Sequence, residues 1–225
     1  MREYNEYVQW HIQKKAEFMV NALRKKHFIV ELARDKEEAK KILLSMIPEG
    51  SSIGIGGSQT IVHLGVLGDL RSEKYRLIDR YSDKYKAGPD YHFRAMQESL
   101  DADVFISGSN AVTYNGEIVN MDCSGARVAA LTYGPKKVII VVGVNKLVKD
   151  IPAAIERLYQ IAPANAYKEG HHTLPCVQTG VCCDCDVLQT ETVFGRMCNY
   201  ISIILSAHKF PGRLNVIVIA DEIGF

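Results

Sequence analysis

The sequence predicts an α/β protein built on a mainly parallel sheet with helices on both faces. Two observations carry this. Short apolar runs alternate with amphipathic stretches of helical period from residue 28 onward. The run Lys137-Val-Ile-Ile-Val-Val-Gly143 is apolar without interruption, as a strand covered on both faces has to be. A chain of 225 residues can bury one substantial core and carry a small appendage, so the expectation is one domain over 1–225.

Taken in order, Asn5 to His27 sets Tyr7, Ile12, Ala16, Met19 and Leu23 at helical intervals among Lys and Glu residues, with Trp10 and Val20 filling in. This predicts an N-terminal amphipathic helix that docks on its own core or on a partner subunit. Phe28 to Ala33 reads as a strand. Asp35 is the expected N-cap of a helix to Ile47, with Glu38 at the capping-box position and Pro48-Glu-Gly50 as its stop. Strands follow at Ser52–Ile55, Tyr75–Ile78, Val104–Ser107 and Lys137–Gly143, and helices at Thr60–Leu70, Tyr91–Leu100 and Ile151–Ile161. Residues 81–89 read as a mobile surface loop over the site. Beyond a Cys-rich segment that starts near His171, the runs Tyr200–Leu205 and Leu214–Ile219 flank Lys209-Phe-Pro-Gly-Arg213 and predict a terminal antiparallel β-hairpin.

Composition narrows the function classes. Lys plus Arg is 27 and Asp plus Glu is 26, interspersed, which leaves no overall basic footprint for nucleic acid. No apolar run approaches the ~20 residues of a membrane-spanning helix. The opening Met-Arg-Glu-Tyr-Asn-Glu has no apolar signal region, so a cytoplasmic location with reduced thiols is expected.

Three segments carry chemistry. Cys176, Cys182, Cys185 and Cys198 gather thiols in one polar stretch, and the Cys182-x-x-Cys185 pair has the bite for two corners of a zinc site or an iron–sulfur cluster. Their spacing is neither that of a zinc finger nor that of a bacterial ferredoxin, so metal ligands and reduced structural thiols both remain open. Gly54-Ile-Gly56-Gly57-Ser58-Gln59-Thr60 joins a strand to a helix. Its glycines let backbone N–H groups turn outward toward an anion, and the Ser58 and Thr60 hydroxyls can add hydrogen bonds; a purely structural turn is the alternative. The loop is no Walker A motif, and Gln59 stands where a dinucleotide fingerprint has its third glycine, so no nucleotide cofactor is assured even with Asp79 downstream. Ser107 to Arg127 follows a buried strand and should emerge at the sheet's carboxyl edge. Within it Glu117 and Asp122 are candidate acid–base groups, Asn110 and Asn120 neutral hydrogen bonders, and Arg127 a clamp for carboxylate or phosphate. Asn115-Gly116 reads equally well as a hairpin turn. His171-His172 reads as a solvated loop and His63 as an ordinary helix residue.

Gly54-Ile-Gly-Gly-Ser-Gln-Thr60, Ser109-Asn-Ala-Val-Thr113, Asn115-Gly-Glu-Ile-Val-Asn-Met-Asp122, Arg127-Val-Ala-Ala130, Tyr133-Gly-Pro-Lys-Lys-Val138 and Pro163-Ala-Asn-Ala166 together resemble the LUD-domain family, named for lactate utilisation, over nearly the whole chain. The resemblance implies a three-layer Rossmann-like α/β fold shared with ribose-5-phosphate isomerase, glucosamine-6-phosphate deaminase, CoA transferases and 5-formyltetrahydrofolate cyclo-ligase, in which the glycine loop faces the cleft. It also implies a Cys-x5-Cys-x2-Cys set with a later Cys, matched here by Cys176, Cys182, Cys185 and Cys198, Cys183 being an additional thiol. The implied function is that of a subunit in a cytosolic iron–sulfur system oxidising L-lactate to pyruvate, binding a small carboxylate or phosphate-bearing ligand beside iron–sulfur partner proteins. The alternatives are a free-standing isomerase- or CoA-transferase-like enzyme using Glu117 or Asp122, and a structural module stapled by zinc. Self-association as a homo-oligomer and turnover by the isolated chain are left open.

Overall fold

A computed structural model describes residues 5–79, 90–183, 185 and 196–225. The loop expected over 81–89 lies outside the described residues. Helix α1 (Glu6–Lys25) starts where Asn5 Oδ1 accepts from Val8 N at 3.0 Å, and it buries Ala16, Met19, Val20 and Leu23 along one face. It ends in a left-handed turn: His27 holds φ 64, its N–H bonds the Arg24 oxygen, and Phe28 N reaches back to the Leu23 oxygen at 3.3 Å. Strand β1 (Ile29–Ala33) leads to α2 (Lys36–Ser45), capped by Asp35, whose Oδ1 accepts from Glu38 N at 2.8 Å. Strand β2 (Ser52–Ile55) is followed by α3 (Gln59–Leu64) and α4 (Leu67–Leu70) in place of one helix, because Gly65 at φ 68 ends the first in an αL cap. Then come β3 (Arg76–Ile78), α5 (Tyr91–Leu100) and β4 (Val104–Gly108).

The next stretch departs from simple alternation. Strands β5 (Ala111–Thr113) and β6 (Ile118–Asp122) pair antiparallel across the Asn115-Gly116 turn, with Gly116 at φ 85. Helix α6 (Ala126–Thr132) returns the chain to β7 (Lys137–Gly143). A 3-10 turn (Val144–Lys146) and β8 (Leu147–Val148) precede α7 (Ile151–Lys168). That helix runs past the expected stop at Ile161 and carries Pro163 inside it. A short α8 (Pro175–Thr179) and strands β9 (Tyr200–Ile204) and β10 (Leu214–Ile219) complete the described elements.

Six strands form a parallel sheet in the order β1-β10-β7-β4-β2-β3, and four form a mixed sheet in the order β8-β5-β6-β9. The terminal hairpin expected from the sequence does not form. Strand β9 lies antiparallel to β6 in the smaller sheet, whereas β10 sits parallel between β1 and β7 in the larger one. The apolar sequence of β10 explains its place, because all six of its residues are buried and need cover on both faces, while β9 keeps Tyr200, Ile201 and Ile203 exposed.

The alternation along the central strands sorts the core into layers. Val138, Ile140 and Val142 of β7 pack with Val216 and Val218 against α1, α6 and the inner face of the smaller sheet. Ile139 and Val141, with Ile217 and Ile219, pack against α2, α3 and α4. Helix α7 covers the outer face of the smaller sheet through Ala154 and Leu158 over Ala111 and Val119. Among the described residues no helix is long and apolar enough to cross a membrane.

Candidate functional site at the carboxyl edge

Strands β2 and β4 are neighbours in the sheet, yet their outgoing chains diverge. The chain after β2 enters α3 on one face, and the chain after β4 enters the smaller sheet and α6 on the other. Such a divergence opens a crevice at the carboxyl ends of the strands, the place where open α/β sheets take their ligands. Both glycine-containing loops of the sequence arrive there. Their closeness requires the glycine at 108, because a Cβ would lie 2.7 Å from Ser58 Oγ and 3.1 Å from Thr60 Oγ1.

The members of the first loop have different tasks. Gly54 lies inside β2, where a Cβ would meet Ser99 Cβ at 2.8 Å and Phe105 Cδ2 at 2.9 Å, so it is a packing glycine. Gly56 is buried against Ser107, Gly57 is exposed, and Ser58 caps α3 by accepting from Ile61 N at 3.4 Å. Gly56, Gly57 and Ser58 line a cavity of about 220 Å³ with an apolar floor that includes Ile55, Ile61 and Leu77. Its rim carries two ion pairs, Arg71 Nη2 to Asp79 Oδ2 at 2.8 Å and Lys168 Nζ to Glu169 Oε1 at 2.9 Å. His63, on the exposed side of α3, bonds Gln59 at 2.8 Å and stands outside this lining.

The second loop forms a closed network. Arg127 Nε donates to Asp122 Oδ1 at 2.7 Å, and its Nη2 donates to Asn110 Oδ1 at 2.9 Å and the Met121 oxygen at 2.6 Å. The other Asp122 oxygen accepts from Val128 N at 3.0 Å in the first turn of α6. Asn110 N donates to Asn120 Oδ1 at 3.1 Å, and Asn110 Oδ1 also accepts from Met121 N at 3.0 Å. Four of the candidates, Asn110, Asn120, Asp122 and Arg127, are therefore brought together, with Arg127 spent on internal partners. Glu117 is not among them. It sits at the other end of β6, roughly 16 Å from Asp122 at strand rise, where it accepts from Thr113 Oγ1 and faces Lys26 Nζ at 3.8 Å beside the end of α1.

Sequence reasoning missed Lys146 and Arg157. Lys146 follows the most apolar strand of the chain, so its side chain has to fall at the carboxyl edge; that position was the available signal. It is 1% exposed and donates to the main-chain oxygen of Phe225. Burial, then the charges of Arg157 and Arg127, bring its amine down to about 7. Arg157, on α7, donates from Nε to the Asn145 oxygen at 3.2 Å, and burial lowers its pKa as well. Among the described residues, Arg157 Nη1, Asn120 Nδ2 and Ser107 Oγ are buried with no hydrogen-bond partner.

The four thiols singled out in the sequence, Cys176, Cys182, Cys185 and Cys198, line one small cleft of about 20 Å³ with Tyr159, Ala162 and Ala166 of α7 and Leu174. Cys176 and Cys185 share a hydrogen bond; burial, followed by the charge of Cys185, pushes Cys176 up to about 11. Burial and the charge of Cys182 do the same for Cys198. Cys183 is exposed and hydrogen-bonds the same Cys185. Among the described residues, no three His, Cys, Asp or Glu side chains converge on the centre of one ion. The all-sulfur donor set still suits zinc or an iron–sulfur cluster in kind and number. A loaded form requires the side chains to turn toward a common point and to ionise together, which only a cation makes favourable. His172 packs its ring on Tyr167 at 4.7 Å, away from this lining. The cleft and the cavity are neighbours: Ala166 borders one and Lys168 the other, and Cys123 feels the charges of both Asp122 and Glu169.

A Rossmann-like α/β protein is thereby defined, with its candidate site at the sheet's switch point and a thiol cluster beside it. The chain belongs to the LUD-domain family, whose model matches residues 16–219. No curated protein matches it. Among solved structures it is similar to a DUF162 family protein from Deinococcus radiodurans at 15% identity, covering 94% of this chain and 98% of that one with a TM-score of 0.49. It is also similar to eIF2B beta from Chaetomium thermophilum at 18% identity, covering 53% of this chain and 44% of that chain, TM-score 0.35. For eIF2B delta from the same organism the identity is 15%, the coverage 63% and 57%, and the TM-score 0.34.

Proposed function

We propose that this chain is a ligand-binding, thiol-bearing subunit of a lactate-utilisation-type system that oxidises L-lactate to pyruvate. The observation that carries the reading is the gathering of Cys176, Cys182, Cys185 and Cys198 around one cleft at the end of α7, next to a cavity sized for a small molecule. The apolar floor of that cavity suits a short carbon chain. Its rim cations, Arg71 and Lys168, suit a carboxylate or phosphate that exchanges places with Asp79 or Glu169. The four thiols would hold the metal group; an iron–sulfur cluster there supplies one-electron transfer with iron–sulfur partner proteins, whereas zinc supplies a crosslink. Free thiols in this number fit a reducing compartment such as the cytoplasm.

An enzyme of the isomerase or acyl-transfer type built on Glu117 gains no support from the geometry, since that carboxylate faces Thr113 and Lys26 and not the glycine loop. The test is the metal and acid-labile sulfide content, with a visible spectrum, of protein purified without oxygen, alongside a Cys182→Ser, Cys185→Ser double variant. Iron with sulfide, lost in the variant, is the expected result. Zinc alone would make the cluster a structural staple, and a folded metal-free protein would remove the electron-transfer reading.

A further inference from the structure

We infer that the cavity beside the glycine loop takes a ribonucleotide, with its base on the aliphatic floor, its ribose hydroxyl on Asp79 and its phosphate on the cations of the rim. The inference rests on the phosphate-bearing form of the ligand reading above and narrows it to one chemical class.

Strand register brings an acid to the loop. Strands β2 and β3 are parallel neighbours, with Ile53 opposite Leu77 and Gly54 opposite Ile78. One residue further along, Asp79 falls beside Ile55 at the strand spacing of about 4.8 Å. There one chain enters Gly56-Gly57-Ser58, and the other ends in a carboxylate that lines the same cavity. This is the arrangement by which doubly wound sheets hold a ribose: the acid accepts from the 2′-hydroxyl, and the glycines let the backbone approach the phosphate. Gln59 in place of a third glycine does not obstruct it. That glycine serves close packing of the helix on the strand, whereas here the Gln59 amide turns along α3 to bond His63 at 2.8 Å. Arg71 fixes the acid, since its Nε at 3.0 Å and Nη2 at 2.8 Å both donate to Asp79 Oδ2. Those are two of the about four hydrogen bonds that a carboxylate can accept.

The floor selects among phosphate-bearing ligands. Ile55, Ile61, Val62, Leu67, Leu77 and Ile78 present aliphatic side chains to a space of about 220 Å³. L-lactate has one methyl group to set against them, and a sugar phosphate has none. A nucleobase covers such a surface with its flat face, and the ribose attached to it carries the hydroxyl that Asp79 requires. Lys168, which lines the cavity and pairs with Glu169 at 2.9 Å, supplies the charge for the phosphate together with Arg71.

The test is calorimetric titration of the full chain with adenosine monophosphate, uridine monophosphate, deoxyadenosine monophosphate, ribose phosphate, inorganic phosphate and L-lactate. Saturable binding of the two ribonucleotides, competed by inorganic phosphate, is the expected result. The deoxynucleotide lacks the hydroxyl and ribose phosphate lacks the base, so each should bind about tenfold more weakly or worse. Asp79→Asn should abolish the preference for ribose over deoxyribose and leave inorganic phosphate binding undiminished, because the ion pair that competes for Arg71 is gone; collapse of the site would weaken both. The comparison of ribose with deoxyribose on the unaltered chain decides the matter if Asp79→Asn does not fold. Equal affinity for adenosine monophosphate and its deoxy form, or no binding of either ribonucleotide, overturns the inference. If L-lactate or inorganic phosphate binds while the nucleotides do not, the nucleotide class falls and the small-anion reading stands. If nothing in the series binds, both fall for this cavity, while metal analysis still decides the role of the thiols.

Discussion

Lys146 gives the stability of this protein a distinctive pH dependence. Its folded pKa of about 7 lies below the ~10.4 of an unfolded lysine, so between those values the unfolded chain binds more protons than the folded one. Stability contributed by this group therefore rises with pH across that window, and below it the burial penalty is constant. Urea midpoints should climb from pH 7 to pH 10, and the climb should shrink in Lys146→Met, where no proton is exchanged. The Asp122–Arg127 pair makes the opposite kind of claim. Arg127→Ala leaves a nearly buried carboxylate with one backbone donor and should cost roughly 3 kcal/mol in equilibrium unfolding, more than a surface pair would. At this scale the sequence was partly legible. Residue type and position after a strand singled out Asn110, Asn120, Asp122 and Arg127, because parallel strands send their following polar residues to one edge. Glu117 was misleading because its neighbour in sequence is a hairpin turn, which points it toward α1, and a lysine inside an apolar stretch is the kind of residue that periodicity passes over.

Helix and strand ends explain most of the remaining differences. His27 carries a left-handed backbone conformation that glycine adopts without strain, so His27→Gly should stabilise the protein by roughly 0.5–1 kcal/mol despite losing the ring contact with His208 at 4.8 Å, measured as a raised urea midpoint at unchanged slope. In contrast, Gly116→Ala puts a Cβ into the Ala22 carbonyl at φ 85 and should destabilise by more than 1 kcal/mol, loosening the β5–β6 turn from α1. Caps at Asn5 and Asp35 were readable because they are local chemistry. The length of α7 was not: Pro163 looks like a stop in one dimension, yet Ala162, Pro163 and Ala166 are buried, and that packing carries the helix through. The pairing of β9 and β10 was misjudged for a related reason. A Pro-Gly between two apolar runs is a hairpin signal only if both strands want the same sheet, and the uniformly buried β10 required an interior place.

For the whole molecule, alternation of apolar runs with helical stretches was enough to foresee the parallel sheet with helices on both faces, and the shared position of the two glycine loops followed from it. The smaller mixed sheet was not foreseeable, since β8 has two residues and β5 three, too short to register as periodic patterns. Gathering of the four cysteines depends on the end of α7 meeting α8 and residues 196–198 ahead of β9, a contact that spacing alone does not encode. The place of β10 has a further consequence for how the protein is made. Strands β1 and β7 touch β10 and not one another, so the first strand of the chain has no partner in the large sheet until residues 214–219 arrive. Loop closure over such a separation is slow, and a ribosome still holding that last strand exposes the apolar edges of β1 and β7 to any waiting chaperone or protease. Nascent chains stalled before residue 214 should be cleaved readily by added protease, and release of the following segment should bring resistance in a single late step.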